Sequence, residues 1–189
     1  MTNSISLAGK RILITGGARG LGRSFASAMV TAGAKVAVAD ILVEEGQYTA
    51  RSIGADFFEL DLAEPESIGT CLDQVIAKFE GLDGLVNNGA IATDVGGRDM
   101  TEIEILKWDY VMKVNVRGTW LMSRAAVPHL ACASNGKIVN LASDTALWGA
   151  PNLLHYVASK GAVISMTRSM SRELGPEGIS VNSIAPGLT

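Results

Sequence analysis

Short apolar runs rich in β-branched residues, most of them ending at a glycine, asparagine or aspartate, alternate along the chain with longer amphipathic stretches. The runs predict six strands: residues 11–15 stopping at Gly16, 35–39 at Asp40, 56–60 at Asp61, 84–86 at Asn87, then 137–141 and 179–184. Between them a helical period predicts helices over residues 21–32, 43–52, 65–79, 103–129 and 155–174. Each of these stretches is long enough to carry the chain from one strand to a parallel neighbour. The strands are nearly continuous in apolar residues instead of alternating, as they must be where helices cover both faces of a parallel sheet. The pattern therefore predicts an α/β chain with a doubly wound parallel sheet, built as a single domain over residues 1–189.

Composition narrows the partners. The 189 residues suit one domain, and 16 Lys and Arg against 19 Asp and Glu give a net charge of -3, so no basic field exists to hold nucleic acid. An apolar content of 48% is ample for a core, yet no charge-free run approaches the ~18 residues of a membrane span. Lys10 and Arg11 stand where the apolar centre of a secretory leader would lie, so a cytoplasmic location is expected. Cys71 and Cys132 suit neither a disulfide framework nor a metal site; both are expected to be reduced and buried, with no metal.

The first candidate chemistry follows the first strand. In Thr15-Gly16-Gly17-Ala18-Arg19-Gly20-Leu21-Gly22 the glycines at 16, 20 and 22 permit a sharp turn, close approach to a pyrophosphate and tight helix packing, while the helix N-terminus offers free N–H groups. The second strand then ends in Asp40, near the spacing at which a carboxylate hydrogen-bonds a ribose 2′-hydroxyl. Together they predict a Rossmann-type dinucleotide site. Asp40 would repel a 2′-phosphate, which favours NAD over NADP; Arg19, a possible partner for that phosphate, argues more weakly for NADP.

Tyr156 and Lys160 are four apart in a helical stretch and share one face. A phenol with an ordinary pKa near 10 is a poor base, and an ammonium within ~4 to 6 Å lowers that value by about 1 to 3. Taken alone such a pair is commonplace. Its place in the order Thr15-Gly16 to Gly22, Asn87-Asn88, Asn115, Ser143, Tyr156 to Lys160, Pro186-Gly187 is not, and in that order the chain resembles the short-chain dehydrogenase/reductase family along its whole length.

The resemblance implies hydride transfer between NAD(H) and a secondary alcohol or ketone by a tetrad of Asn115, Ser143, Tyr156 and Lys160. Ser143 would donate a hydrogen bond to the substrate oxygen, Tyr156 would take the alcohol proton, Lys160 would hold the nicotinamide ribose, and Asn115 would position a relay water. On the cofactor side it implies that Gly16, Arg19, Gly20, Leu21 and Gly22 carry the pyrophosphate, Asp61 and Leu62 the adenine edge, and Asn88, Gly89 and Ala90 the adenosine ribose. Pro186 and Gly187, with Leu188 and Thr189, would approach the carboxamide.

Two departures from the family pattern matter. Asn87-Asn88-Gly89-Ala90 reverses the usual small pair, costing about 1 kcal/mol if Ala90 needs a positive φ. The family also continues past Pro-Gly into a mobile substrate loop and a seventh strand, so the chain ending at Thr189 reads as C-terminally incomplete. Substrate walls are expected at Ser143, Trp148, Asn152 and Tyr156, with Leu147, Leu153 and residues 91–94 nearby. His155 should point about 100° away from Tyr156 and off the catalytic face. The tyrosine helix is apolar nearly all round, which predicts a homotetramer or homodimer. The rival readings are an NADPH-dependent carbonyl or ketoacyl reductase, and a truncated nucleotide-binding module without catalysis.

Overall fold

The structure, a computed structural model, describes residues 6–187. Its strands β1 (Arg11–Thr15), β2 (Lys35–Asp40), β3 (Asp56–Glu59), β4 (Gly84–Asn87), β5 (Lys137–Leu141) and β6 (Ser180–Ile184) agree with the predicted runs to within one residue. They form one sheet in the order β3-β2-β1-β4-β5-β6, and every pairing is parallel. The order reverses at β1, which pairs with both β2 and β4. A crevice opens at such a reversal, beyond the carboxyl ends of the strands.

Helices α1 (Gly20–Thr31), α2 (Val43–Ile53) and α3 (Pro65–Phe79) begin close to where the periodicity places them. Pro65 starts α3 where a missing N–H costs nothing, and Gly54 ends α2 in the left-handed region at φ 76. One face of the sheet packs Ile12, Ile14, Val36 and Val38 against Ala26 of α1 and Ala50 of α2. The other packs Leu13, Leu85 and Ile138 against Cys71, Leu72 and Val75 of α3 and against Met122 and Ala126 further along the chain. Alternate residues of β1 thus feed opposite layers, and fully burying a side chain such as Leu13 or Ile14 contributes roughly 1.5–3 kcal/mol.

The helix predicted over residues 103–129 is corrected. Ile103 and Glu104 are extended, and the segment then divides into α4 (Ile105–Met112), a π-helical turn over Lys113–Gly118 and α5 (Thr119–Ala131). The wide turn carries Asn115, whose side chain bonds both backbone groups of Ile91, so a tertiary tie accompanies the break in the regular ladder. A short helix that the pattern did not predict, α6 (Thr145–Trp148), follows β5 and ends at Gly149 with φ 74. The last α-helix among the described residues is α7 (Leu154–Leu174).

Buried amides lock these layers in register. Asn87 Nδ2 donates to Ser123 Oγ of α5 and to Asn140 Oδ1 of β5, both at 2.8 Å, and Asn140 Nδ2 donates to Thr167 Oγ1 of α7 at 2.9 Å. Cys71 is buried as expected, which pushes its thiol up to about 12. Cys132 corrects the other half of that expectation: it caps the C-terminus of α5 and is exposed.

Candidate active site

The turn after β1 takes its shape from its glycines. Gly16 has φ +65, and a Cβ there would stand 2.5 Å from Gly89 Cα. A Cβ on Gly22 would run into the Gly16 carbonyl oxygen and stand 2.6 Å from Asn88 Nδ2. Asn88 closes the turn from the β4 side, donating from Nδ2 to the carbonyls of Thr15 at 3.1 Å and Gly16 at 2.8 Å. Gly20 adopts φ +56 beside open space. Above it α1 begins with no side-chain cap and no acidic residue in its first turn, leaving N–H groups and a partial positive charge for an anion. These features fit a dinucleotide pyrophosphate.

Asp40, 9% exposed, is fixed at the end of β2: one carboxylate oxygen accepts from Ala18 N at 2.9 Å and the other from Leu42 N at 3.1 Å. Each oxygen keeps a lone pair for a further donor. Asp61 is held likewise, Oδ1 accepting from Ala63 N at 2.8 Å. Ala90 is not among the residues with positive φ, so the feared backbone cost is absent. Gly89 has the tighter surroundings, since a Cβ on it would stand 2.7 Å from Leu62 Cδ1.

At the other end of the crevice, β5 delivers Ser143 and α7 delivers Tyr156 and Lys160. Ser143 Oγ accepts from Thr145 Oγ1 at 2.8 Å and from Thr145 N at 3.3 Å. Lys160 is 4% exposed; its ammonium donates to the Leu141 carbonyl at 2.6 Å, and its Nζ stands 5.8 Å from the centre of the Tyr156 ring. Burial lowers its pKa to about 8. The expectation that this lysine depresses the phenol is corrected. Burial raises the Tyr156 phenol above its ordinary value and the negative charge of Asp144 adds to that, while a hydrogen bond with Ser143 opposes them. Burial and the Asp144 charge set the direction, and the Lys160 ammonium is engaged by the Leu141 carbonyl. Asn115 is 1% exposed, and both hydrogens of its amide are used, on the Ile91 carbonyl at 3.1 Å and on Ser159 Oγ at 3.1 Å.

One cleft of about 490 Å³ joins the two ends. Its walls include Gly16, Arg19, Leu21, Asp40, Asp61, Leu62, Asn88, Gly89, Ala90, Ser143, Tyr156, Lys160, Pro186 and Gly187. Gly20, Gly22 and Asn115 are not part of that lining; Gly22 and Asn115 are buried and Gly20 is exposed. Trp148 and Asn152 fall outside it: Trp148 is 62% exposed, and Asn152 turns the chain at φ 61 while its carbonyl accepts from Arg98 N. The two remain expected substrate contacts that this cleft does not include. Leu188 and Thr189 lie outside the described residues. Sequence reasoning missed Tyr110 and Val114, which line the cleft from α4 and the π turn; their spacing of four, just before Asn115, was the available signal. His155 is 2% exposed, off the lining, with neither ring nitrogen paired among the described residues. Burial, with Lys107 and Arg98 nearby, lowers its pKa.

Residues 10–189 match the short chain dehydrogenase family. The chain belongs to that family. Sequence relatives of this short-chain dehydrogenase include a 3-alpha-(or 20-beta)-hydroxysteroid dehydrogenase of Mycobacterium tuberculosis, 40% identical over 96% of this chain and 70% of that protein. A sorbitol dehydrogenase of Cereibacter sphaeroides is 42% identical over 96% and 71%. A 3-oxoacyl-acyl-carrier-protein reductase of Staphylococcus aureus is 35% identical over 94% and 74%. Among solved structures, the 3-ketoacyl-(acyl-carrier-protein) reductase of Brucella melitensis complexed with NADH superposes with a TM-score of 0.91 at 33% identity, covering 96% of this chain and 77% of that one. This short-chain dehydrogenase is thus an oxidoreductase of the class acting on alcohols and ketones with a nicotinamide cofactor, and none of its described helices is long and apolar enough to cross a membrane.

Proposed function

We propose that the protein interconverts a secondary alcohol and a ketone with NAD(H) as its cofactor. The observation that carries the choice of cofactor is Asp40, a carboxylate held by two backbone N–H groups in the wall of the cleft. A fixed anion there accepts hydrogen bonds from a ribose diol and opposes a 2′-phosphate. When bound, the nicotinamide supplies or takes up the hydride. The protein's own groups handle the rest: Ser143 donates to the substrate oxygen, Tyr156 exchanges its proton, and Lys160 binds the adjoining ribose hydroxyls. Asn115 keeps the segment after β4 against α7 through its bonds to Ile91 and Ser159.

The test is turnover of a panel of secondary alcohols with NAD and with NADP. Tyr156→Phe is expected to abolish turnover while leaving NADH binding intact, and Asp40→Ala to collapse the ratio of kcat/KM for NAD over NADP. Binding of nucleotide without turnover of any alcohol or ketone would leave a nucleotide-binding module. An unchanged cofactor ratio would turn the reading toward an NADPH-dependent ketoacyl reductase, which Arg19 in the cleft wall favours.

A further inference from the structure

Ser143 lies where β5 gives way to α6, and one residue brings both its N–H and its hydroxyl to the serine oxygen. Thr145 Oγ1 stands 2.8 Å from Ser143 Oγ and the Thr145 N–H donates from 3.3 Å. Thr145 is itself held in place, because its carbonyl accepts from Gly149 N at 3.0 Å and from Ala150 N at 3.1 Å. A serine hydroxyl has two acceptor lone pairs and one proton. The Thr145 N–H takes one lone pair of Ser143; where the Thr145 hydroxyl donates to the other, Ser143 has its proton alone to offer, and it is buried, at 6% exposure.

We propose that Thr145 is a positioning residue that holds the Ser143 hydroxyl as an obligate hydrogen-bond donor toward the reacting oxygen. The inference rests on the hydride-transfer reading and deepens it. An unrestrained serine hydroxyl rotates, and beside an alcohol it either donates to the oxygen or accepts the alcohol's proton. Accepting would leave that proton aimed at a group that cannot carry it away. With Thr145 filling the acceptor sites, the alcohol O–H has the Tyr156 oxygen as its remaining acceptor. The Ser143 proton meanwhile points to where negative charge gathers on the substrate oxygen, so its donation strengthens toward the transition state. Before substrate binds, that proton faces the phenol oxygen instead, and this hydrogen bond holds the Tyr156 pKa below where burial and Asp144 would place it. The signal is a hydroxyl residue two positions after Ser143, in a turn where α6 directs it backward.

Thr145→Val keeps shape and backbone while removing the hydroxyl; Thr145→Ala removes the same group with less bulk and carries the same expectations should valine not fold. With NAD and a secondary alcohol that the unmodified protein oxidises, kcat is expected to fall about five- to tenfold, the loss of one positioned hydrogen bond. The acid limb of the kcat/KM–pH profile should move to higher pH, NADH affinity by fluorescence titration should stay unchanged, and Thr145→Ser should restore both kinetic properties. In a Ser143→Ala background, Thr145→Val should change nothing further. An unaltered kcat and pH limb in both hydroxyl-deleting variants overturns the inference, and so does an equal loss in the Ser143→Ala background. Absence of any turnover by the unmodified protein instead overturns the hydride-transfer reading, and the inference with it.

Discussion

Tyr156 is set by neighbours that pull in opposite directions. Burial and the Asp144 charge hold its proton on, and Ser143 draws it toward release. Asp144→Asn removes one of the two opposing influences and should lower the phenol pKa, so the acid limb of alcohol oxidation moves to lower pH; a kcat/KM–pH profile that stays put would refute this. Lys160 links the site to stability. Its pKa falls from 10.5 to about 8 on burial, so between those values the unfolded chain holds a proton that the folded one has released. More protons on the unfolded state means that stability rises with pH across this window, by on the order of 3 kcal/mol, and the cost is fully present below it. Urea midpoints measured at pH 8, 9 and 10 should show that Lys160→Met lacks this rise, and parallel pH dependences would refute it. The tyrosine–lysine pair was legible in the sequence because spacing on a helix is local. The direction of the phenol's shift was not, since it depends on burial and on Ser143 and Asp144, which the fold brings to it from 13 and 12 positions away.

Elements show the same division. All six strands could be read from apolar runs, because a parallel strand covered on both faces leaves an almost unbroken apolar record. The π turn at Lys113–Gly118 could not: residues 111–116 have an ordinary helical pattern, and the break accompanies the contact of Asn115 with Ile91, 24 positions earlier. Trp148 and Asn152, near Tyr156 in sequence, do not line its cleft, because nearness in sequence does not fix which side chains share a cavity. The glycines of the first turn are separable by cause. Gly20 has space for a Cβ and needs only its left-handed backbone, whereas a Cβ on Gly22 collides with the Gly16 carbonyl and with Asn88. Gly20→Ala should therefore weaken NADH binding by about fivefold, from a backbone cost near 1 kcal/mol. Gly22→Ala should abolish measurable binding by pushing α1 off the turn; equal losses in a titration of the two variants would refute the distinction.

The whole molecule leaves apolar surface uncovered. Ile105 and Leu106 of α4 are 78% and 81% exposed, Trp120 of α5 is 45% exposed, and Val157, Ala158 and Ile164 of α7 are partly exposed. Exposed apolar side chains on helices suit association, so we expect a homodimer or homotetramer. Sedimentation equilibrium at micromolar protein checks it, and a species with the mass of one chain would refute it. The strand order also carries a timetable. β1 and β2 pair across a single helix, but β1 meets its other neighbour where Ile12 lies beside Gly84. A ribosome adding about 5–20 residues per second needs roughly 4 to 14 s to cover that distance. Through that interval a central strand of the finished sheet presents a bare edge, and this is when the nascent chain is most open to pairing with the wrong partner.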